Sequence, residues 1–177
     1  GLGTRASALL FQFPPQELLD PPHVFAHKLG VFLAALPKAP FAYAIELRNA
    51  ELLTDAYGAA LAANAALHCH NLWPRMPSIL EQAKRLPKQT RRPLLIRWLM
   101  PPGDTFEAAS ARFAPFGALQ RPDADSLAQV ARLVSLAQQH AVETLVTLDN
   151  KAEGCAPLTA VRLARALVQA PPVPERP

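Results

Sequence analysis

Phe41-Ala42-Tyr43-Ala44-Ile45-Glu46-Leu47-Arg48-Asn49 is the stretch around which the chain is organised. Side chains of a strand alternate between its two faces. One face is then Phe41, Tyr43, Ile45 and Leu47, bulky and apolar. The other is Ala42, Ala44, Glu46 and Arg48, small first and charged last. A run this apolar fits a parallel strand covered on both sides. A carboxylate and a guanidinium are costly to bury without partners. At the C-terminal mouth of a barrel strand they would meet water or a ligand.

The flanking segments repeat the pattern. Residues 8–13 read as a strand stopped by Pro14-Pro15. Residues 22–36 read as a helix, with Val24, Phe25, Leu29, Phe32, Leu33 and Leu36 at helical spacing. After the strand 41–48, a helix over 51–63 places Leu52, Leu53, Ala56, Ala60 and Leu61 on one side. Residues 66–70 form a short strand, and Ser78 caps a helix to Arg85. Residues 93–99 are a strand and 105–112 a helix. Leu127, Val130, Leu133, Val134 and Ala137 mark the apolar face of a helix over 126–140. Residues 143–148 are the last strand. The loop 149–156 leads into a helix opened by Pro157 and ended before Pro171. Residues 1–170 thus read as one domain and 171–177 as a proline-rich tail.

Strands that alternate with helices predict a parallel sheet with crossover helices. No glycine-rich phosphate fingerprint follows any strand, which disfavours a dinucleotide-binding sheet. Polar residues gather instead at strand C-termini: Gln12, Glu46, Arg48, His70, Arg97 and Asp149. A barrel mouth collects contributions from many strands in this way. The predicted fold is α/β, a partial TIM (β/α) barrel. A full barrel takes eight strands and roughly 250 residues.

Composition sets outer limits. The chain has 177 residues, 50% of them hydrophobic, which suits a globular domain. The net charge of +4 permits an anionic ligand and is too mild to argue for nucleic acid by itself. Two cysteines, Cys69 and Cys155, do not make a disulfide scaffold, so the default is a reducing, cytoplasmic setting. The longest apolar run, 29–36, is too short to span a bilayer, and no signal peptide is evident. The absence of an initiator Met suggests a chain that begins inside a longer protein.

An ordered set of segments resembles the YecE-like family, a domain-of-unknown-function family with a TIM-barrel fold. Leu2-Gly3-Thr4-Arg5 with Leu9-Leu10-Phe11-Gln12-Phe13-Pro14-Pro15 is similar to its opening. Ala44-Ile45-Glu46-Leu47-Arg48 is similar to its A-x-E-x-R strand. Arg97-Trp98, Phe106-Glu107 and Phe113-Ala114-Pro115-Phe116 resemble one branch of the family. Asn150-Lys151-Ala152-Glu153-Gly154-Cys155-Ala156-Pro157 resembles its closing loop. The resemblance implies a barrel whose first two strands precede Gly1. It implies a pocket but no reaction, since the family's molecular function is unassigned. Asp149 stands where the family usually has Asn, Cys155 where it often has His or Ser, and Ala6-Ser7 where it has Leu-Gly.

Several groups are candidates for chemistry. Glu46 could act as a general base, with Arg48 a bidentate clamp for carboxylate or phosphate; the same residues also suit a permanent ion pair. Arg97 lies between Ile96 and Trp98 and faces the opposite way, so it needs an anionic partner, either Glu46 or a ligand. His68 and His70 share a strand face and could serve one metal or relay a proton, but no compact motif completes a ligand set. The loop carrying Asp149, Asn150, Lys151 and Gly154 leads into a helix N-terminus, where anions bind. An ordinary strand-to-helix turn fits it too. Cys155 lacks a histidine partner in sequence, and Trp73 and Trp98 read as packing residues.

The candidate catalytic set is therefore Glu46, His70 and Asp149, and the candidate ligand-binding set Gln12, Arg48, Arg97, Asn150, Lys151 and Gly154. No metal site and no cofactor is specified. One reading is acid–base chemistry, hydrolysis or isomerisation, on a small anionic or sugar-like substrate. A second is a metal-assisted phosphodiesterase on nucleic acid using His68, His70, Glu46 and Asp149. A third is a non-catalytic binding module or an inactive fragment, and a partial barrel with open edges is expected to self-associate.

Overall fold

Sheet order decides between the two ways of closing a parallel α/β sheet. The computed structural model describes residues 5–15, 17, 20–86, 93–101 and 103–169. Its strands are β1 (Ala8–Gln12), β2 (Ala42–Glu46), β3 (Leu67–Leu72), β4 (Leu94–Trp98) and β5 (Thr144–Leu148). All four pairings are parallel, and the spatial order is the chain order, β1-β2-β3-β4-β5. A doubly wound sheet reverses direction at a switch point. This sheet never does, so it curls as part of a barrel. Among the described residues, β1 and β5 each have a strand neighbour on one side only.

Between the strands run α1 (Pro22–Ala35), α2 (Asp55–Ala63), α3 (Ile79–Arg85), α4 (Phe106–Phe113) and α5 (Ala124–Gln139), and α6 (Ala156–Gln169) follows β5. Boundaries expected from sequence fall within a few residues of these. The helix expected over 51–63 is divided. A 3-10 turn (Ala50–Leu52) comes first, then Thr54 caps α2 by accepting from the Tyr57 N–H. The buried face of α2 is Tyr57, Gly58 and Leu61, with Ala56 exposed. Ser78 and Glu81 form a reciprocal capping box at α3. Pro157 occupies the second position of α6 rather than the first. Leu2, Gly3, Thr4, Pro102 and the tail 171–177 lie outside the described residues.

Alternation sorts the strand side chains into two layers. Ile45 and Leu47 pack outward with α1 and α2 residues Leu29, Leu33, Tyr57 and Leu61. Ile96 and Trp98 pack outward with Val130, Val134 and Leu163. The inner, concave face carries Ala44, Leu67, Cys69 and Leu95 at its centre, with Leu10 and Leu145 beside them. Strand residues two positions nearer the C-terminus on this same inner face are Glu46, Asn71 and Arg97. The sheet geometry thus delivers the polar residues to one mouth.

The turn after β5 is fixed by tight backbone contact. Gly154 has φ +110°. A Cβ there would lie 2.6 Å from the Ala118 carbonyl oxygen. Gly154→Ala should therefore cost about 2 kcal/mol, from an unfavourable φ and a backbone clash. Chemical denaturation of the two proteins measures it, and a change near zero would contradict the close approach.

Candidate functional site

Gln12 and Glu46 are register partners across β1 and β2, and Arg97 is the register partner of Asn71 across β3 and β4. Arg48 follows β2 by two residues. These positions bring four side chains together. Glu46 is fully buried. Its Oε1 accepts from Arg48 Nε at 2.9 Å, and its Oε2 accepts from Arg97 Nη1. Gln12 Oε1 accepts from Arg48 Nη2 at 2.9 Å and from Arg97 Nη1 at 3.2 Å. The Arg48 guanidinium also lies over the Trp73 ring, 4.0 Å from its centroid, a cation–π contact.

Two cations therefore share one carboxylate, an excess of one positive charge at the mouth. The Arg48 and Arg97 side chains keep 13% and 27% of their surface accessible, so the excess charge reaches solvent. Glu46 has both oxygens engaged, so in this geometry it orients the guanidiniums and offers no free base. Below it, Cys69 is buried, and its thiol is pushed up to about 12, first by burial and then by the Glu46 charge, against an opposing effect of Arg97. That thiol is inert as a nucleophile.

The other candidates are placed elsewhere. His68 and His70 share a face, as expected, but it is the outer one. His68 Nδ1 is 2.9 Å from Tyr57 Oη, and its Nε2 is 3.2 Å from Gln82 Oε1. Gln82 commits its amide nitrogen to the carbonyls of Asn71 and Pro77, each at 2.7 Å. Its oxygen must accept, so His68 carries its proton on Nε2 and Nδ1 accepts from Tyr57. Burial, and secondarily the neighbouring His70, lowers the His68 pKa to about 3. Burial also lowers His70 to about 4, against a backbone hydrogen bond with Leu95. The expectation that His70 joins Glu46 is corrected: period-two alternation sends Cys69 and Asn71 inward and both imidazoles outward. The four residues of the metal-assisted reading do not converge, and no cluster of three or more metal-binding side chains occurs among the described residues.

Asp149, Asn150, Lys151 and Gly154 build their own turn. Asp149 Oδ1 accepts from the Lys151 N–H at 2.9 Å and from Lys151 Nζ at 2.7 Å. Asn150 Oδ1 accepts from the Ala156 N–H at 2.8 Å, at the start of α6. Lys151 Nζ lies 4.6 Å from the Phe106 ring centroid. Asp149 is thus a turn residue in this structure rather than a partner of Glu46.

Comparison with known proteins follows the same lines. Residues 1–177 match the family described as "Protein of unknown function DUF72". The chain belongs to this family. Two crystal structures of a DUF72 family protein from Enterococcus faecalis V583, at 2.52 Å and 3.10 Å resolution, share the fold. They superpose with TM-scores of 0.58 and 0.57 at 19% identity, over 92% and 96% of this chain. The chain spans about three fifths of those proteins, 61% and 62% of their length. No curated protein matches. The YecE-like resemblance is thereby borne out, as are the partial barrel and the absence of an assigned reaction.

Sequence reading missed two features of this chain. Trp73 is the platform for Arg48, and Glu153 is a second fully buried carboxylate. Glu153 Oε1 accepts from Arg162 Nη1 and from the Asp123 N–H at 2.7 Å. Its backbone oxygen accepts from the N–H groups of Gln120 and Arg121. The arginine nine residues on, in the next helix, was the available signal.

Proposed function

We propose that this chain binds a small carboxylate- or phosphate-bearing molecule at the C-terminal mouth of its sheet. The observation that carries the reading is the pairing of two guanidiniums with a single buried carboxylate. A guanidinium has five N–H donors, and the bonds named above use two from each arginine. The remaining donors suit the planar, bidentate recognition of an oxyanion. Gln12 and Glu46 hold both cations at fixed positions before a ligand arrives, which lowers the ordering cost of binding. Proton transfer by Glu46 would first require one guanidinium to leave, so the geometry supports binding and positioning ahead of acid–base catalysis. Two free, buried cysteines, Cys69 and Cys155, fit a reducing cytoplasmic setting. No helix among the described residues is long and apolar enough to cross a membrane.

Calorimetric titration with inorganic phosphate and with acetate tests the reading. Arg97→Gln removes one cation and should weaken binding about tenfold or more, near 1.4 kcal/mol. Arg48→Lys should also weaken it, because an ammonium cannot reproduce the fork. Equal affinity in the parent and Arg97→Gln proteins, or no binding by the parent at millimolar anion, would sink the proposal.

A further inference from the structure

The inner face ends on β5 in polar groups of a different kind from the two arginines. Leu145 belongs to the inner layer, and Val146 and Leu148 pack outward. Thr147 therefore points inward, as the register partner of Arg97. It is exposed, and its hydroxyl makes no hydrogen bond among the described residues. Pairing with β4 runs on through Asp149, whose N–H donates to the Trp98 carbonyl at 2.9 Å, so Asp149 shares the inner face. The turn occupies only one of its oxygens. Oδ1 takes both Lys151 bonds, and Oδ2 accepts none among the described residues. The Asp149 side chain keeps 32% of its surface accessible.

The mouth is thus polarised. Guanidinium donors stand at one end, and a hydroxyl and a carboxylate oxygen at the other. Asp149 repels a second acid on the same ligand. Lys151 repels an ammonium, because its Nζ is held on Asp149 at 2.7 Å and over the Phe106 ring. A ligand hydroxyl suits both β5 groups: it donates to Asp149 Oδ2, and it either donates to or accepts from Thr147. Length is constrained too. Arg97 reaches past β3 to Glu46 on β2. With neighbouring strands about 4.8 Å apart, its guanidinium lies two to three spacings from Thr147, roughly 10–14 Å along the sheet. A six-carbon chain with a hydrogen bond of about 3 Å at each end covers that span.

We infer that the ligand of the arginine pair is a polyhydroxy acid of sugar size. Its acid group sits on Arg48 and Arg97, and its distal hydroxyls on Thr147 and Asp149. The inference rests on the anion reading and adds to it the end that reads hydroxyls.

Gluconate is the probe, titrated calorimetrically into the full 177-residue chain beside two acids of equal length. Hexanoate lacks the hydroxyls, and 6-aminohexanoate carries an ammonium instead. Gluconate should bind at least tenfold more tightly than either, since a site built to hydrogen-bond a hydroxyl rejects an analogue without one. Thr147→Val keeps the side-chain shape on an exposed strand position and should fold normally. Asp149→Asn keeps the Oδ1 acceptor of the turn and replaces Oδ2 with a donor. Each should cut the preference for gluconate over hexanoate about fivefold. Hexanoate binding as tightly as gluconate would overturn the inference and leave the anion reading standing, whereas a chain that binds none of the three acids would remove both. Tighter binding of 6-aminohexanoate, or a gluconate preference unchanged in both variants, would also overturn it.

Discussion

Unfolding free energy should fall by about 3 kcal/mol between about pH 7.5 and pH 5, before most carboxylates titrate. The cause is the outer-face histidine pair. The folded-state pKa of His68 is about 3 and that of His70 about 4, both below the ordinary 6.5. A depressed histidine is neutral in the fold and takes up a proton on unfolding once the pH drops below 6.5. The unfolded state then binds more protons, so stability falls with pH. Its contribution is complete above pH 6.5 and is lost progressively as the pH approaches the folded values. At pH 5 His68 alone accounts for about 2 kcal/mol, and His70, which is only half-buried, for less. Urea titrations at several pH values measure the slope, and the double variant His68→Gln, His70→Gln should flatten it. A parent protein equally stable at both ends of that range would show that the imidazoles are not buried as neutral groups.

The fold was legible because it rests on period. Alternation in 41–48 and helical spacing in 126–140 are properties of adjacent residues, and burial on the expected faces follows from them. Arg97 shows how far that reading carries: Ile96 and Trp98 do pack outward, and the guanidinium between them reaches Glu46. His70 shows where it stops. Alternation put His68 and His70 together but could not say which face of β3 looks inward. The two faces of a strand covered on both sides differ little in hydrophobicity. Cys69 and Leu67 gave no contrast with the helix-facing residues, so the choice fell to contacts with Tyr57 and Gln82, made at separations of 11 and 14 residues. Trp73 was missed for a related reason. An aromatic in a proline-spaced loop carries no periodic signal, and its partner Arg48 belongs to a different strand end. Asp149 erred the other way: an acid at a strand end suggests a site, yet a short side chain beside Lys151 closes its own turn first.

Glu46→Ala should lower stability by about 3 kcal/mol at neutral pH, a larger loss than removing either arginine. Removing one member of a buried ion pair leaves the other charge uncompensated, which typically costs about 3–5 kcal/mol. Here one deletion strands two cations. Their partial exposure, 13% and 27%, lets water screen some of the loss and puts the expectation at the lower end of that range. Glu46→Gln retains the shape and one acceptor oxygen, so it should cost about half as much. The truncated variant also creates a vacancy shaped like a carboxylate beside two guanidiniums. Added acetate or formate should therefore raise its melting temperature more than that of the parent protein, since a ligand that binds only the folded state stabilises it by mass action. Chloride at the same ionic strength should do less, because a spherical ion cannot engage both forks bidentately. A Glu46→Ala protein as stable as the parent would mean that solvent, not Glu46, balances the two arginines. If acetate instead failed to restore a destabilised variant, the loss would lie in packing of the inner face rather than in unpaired charge.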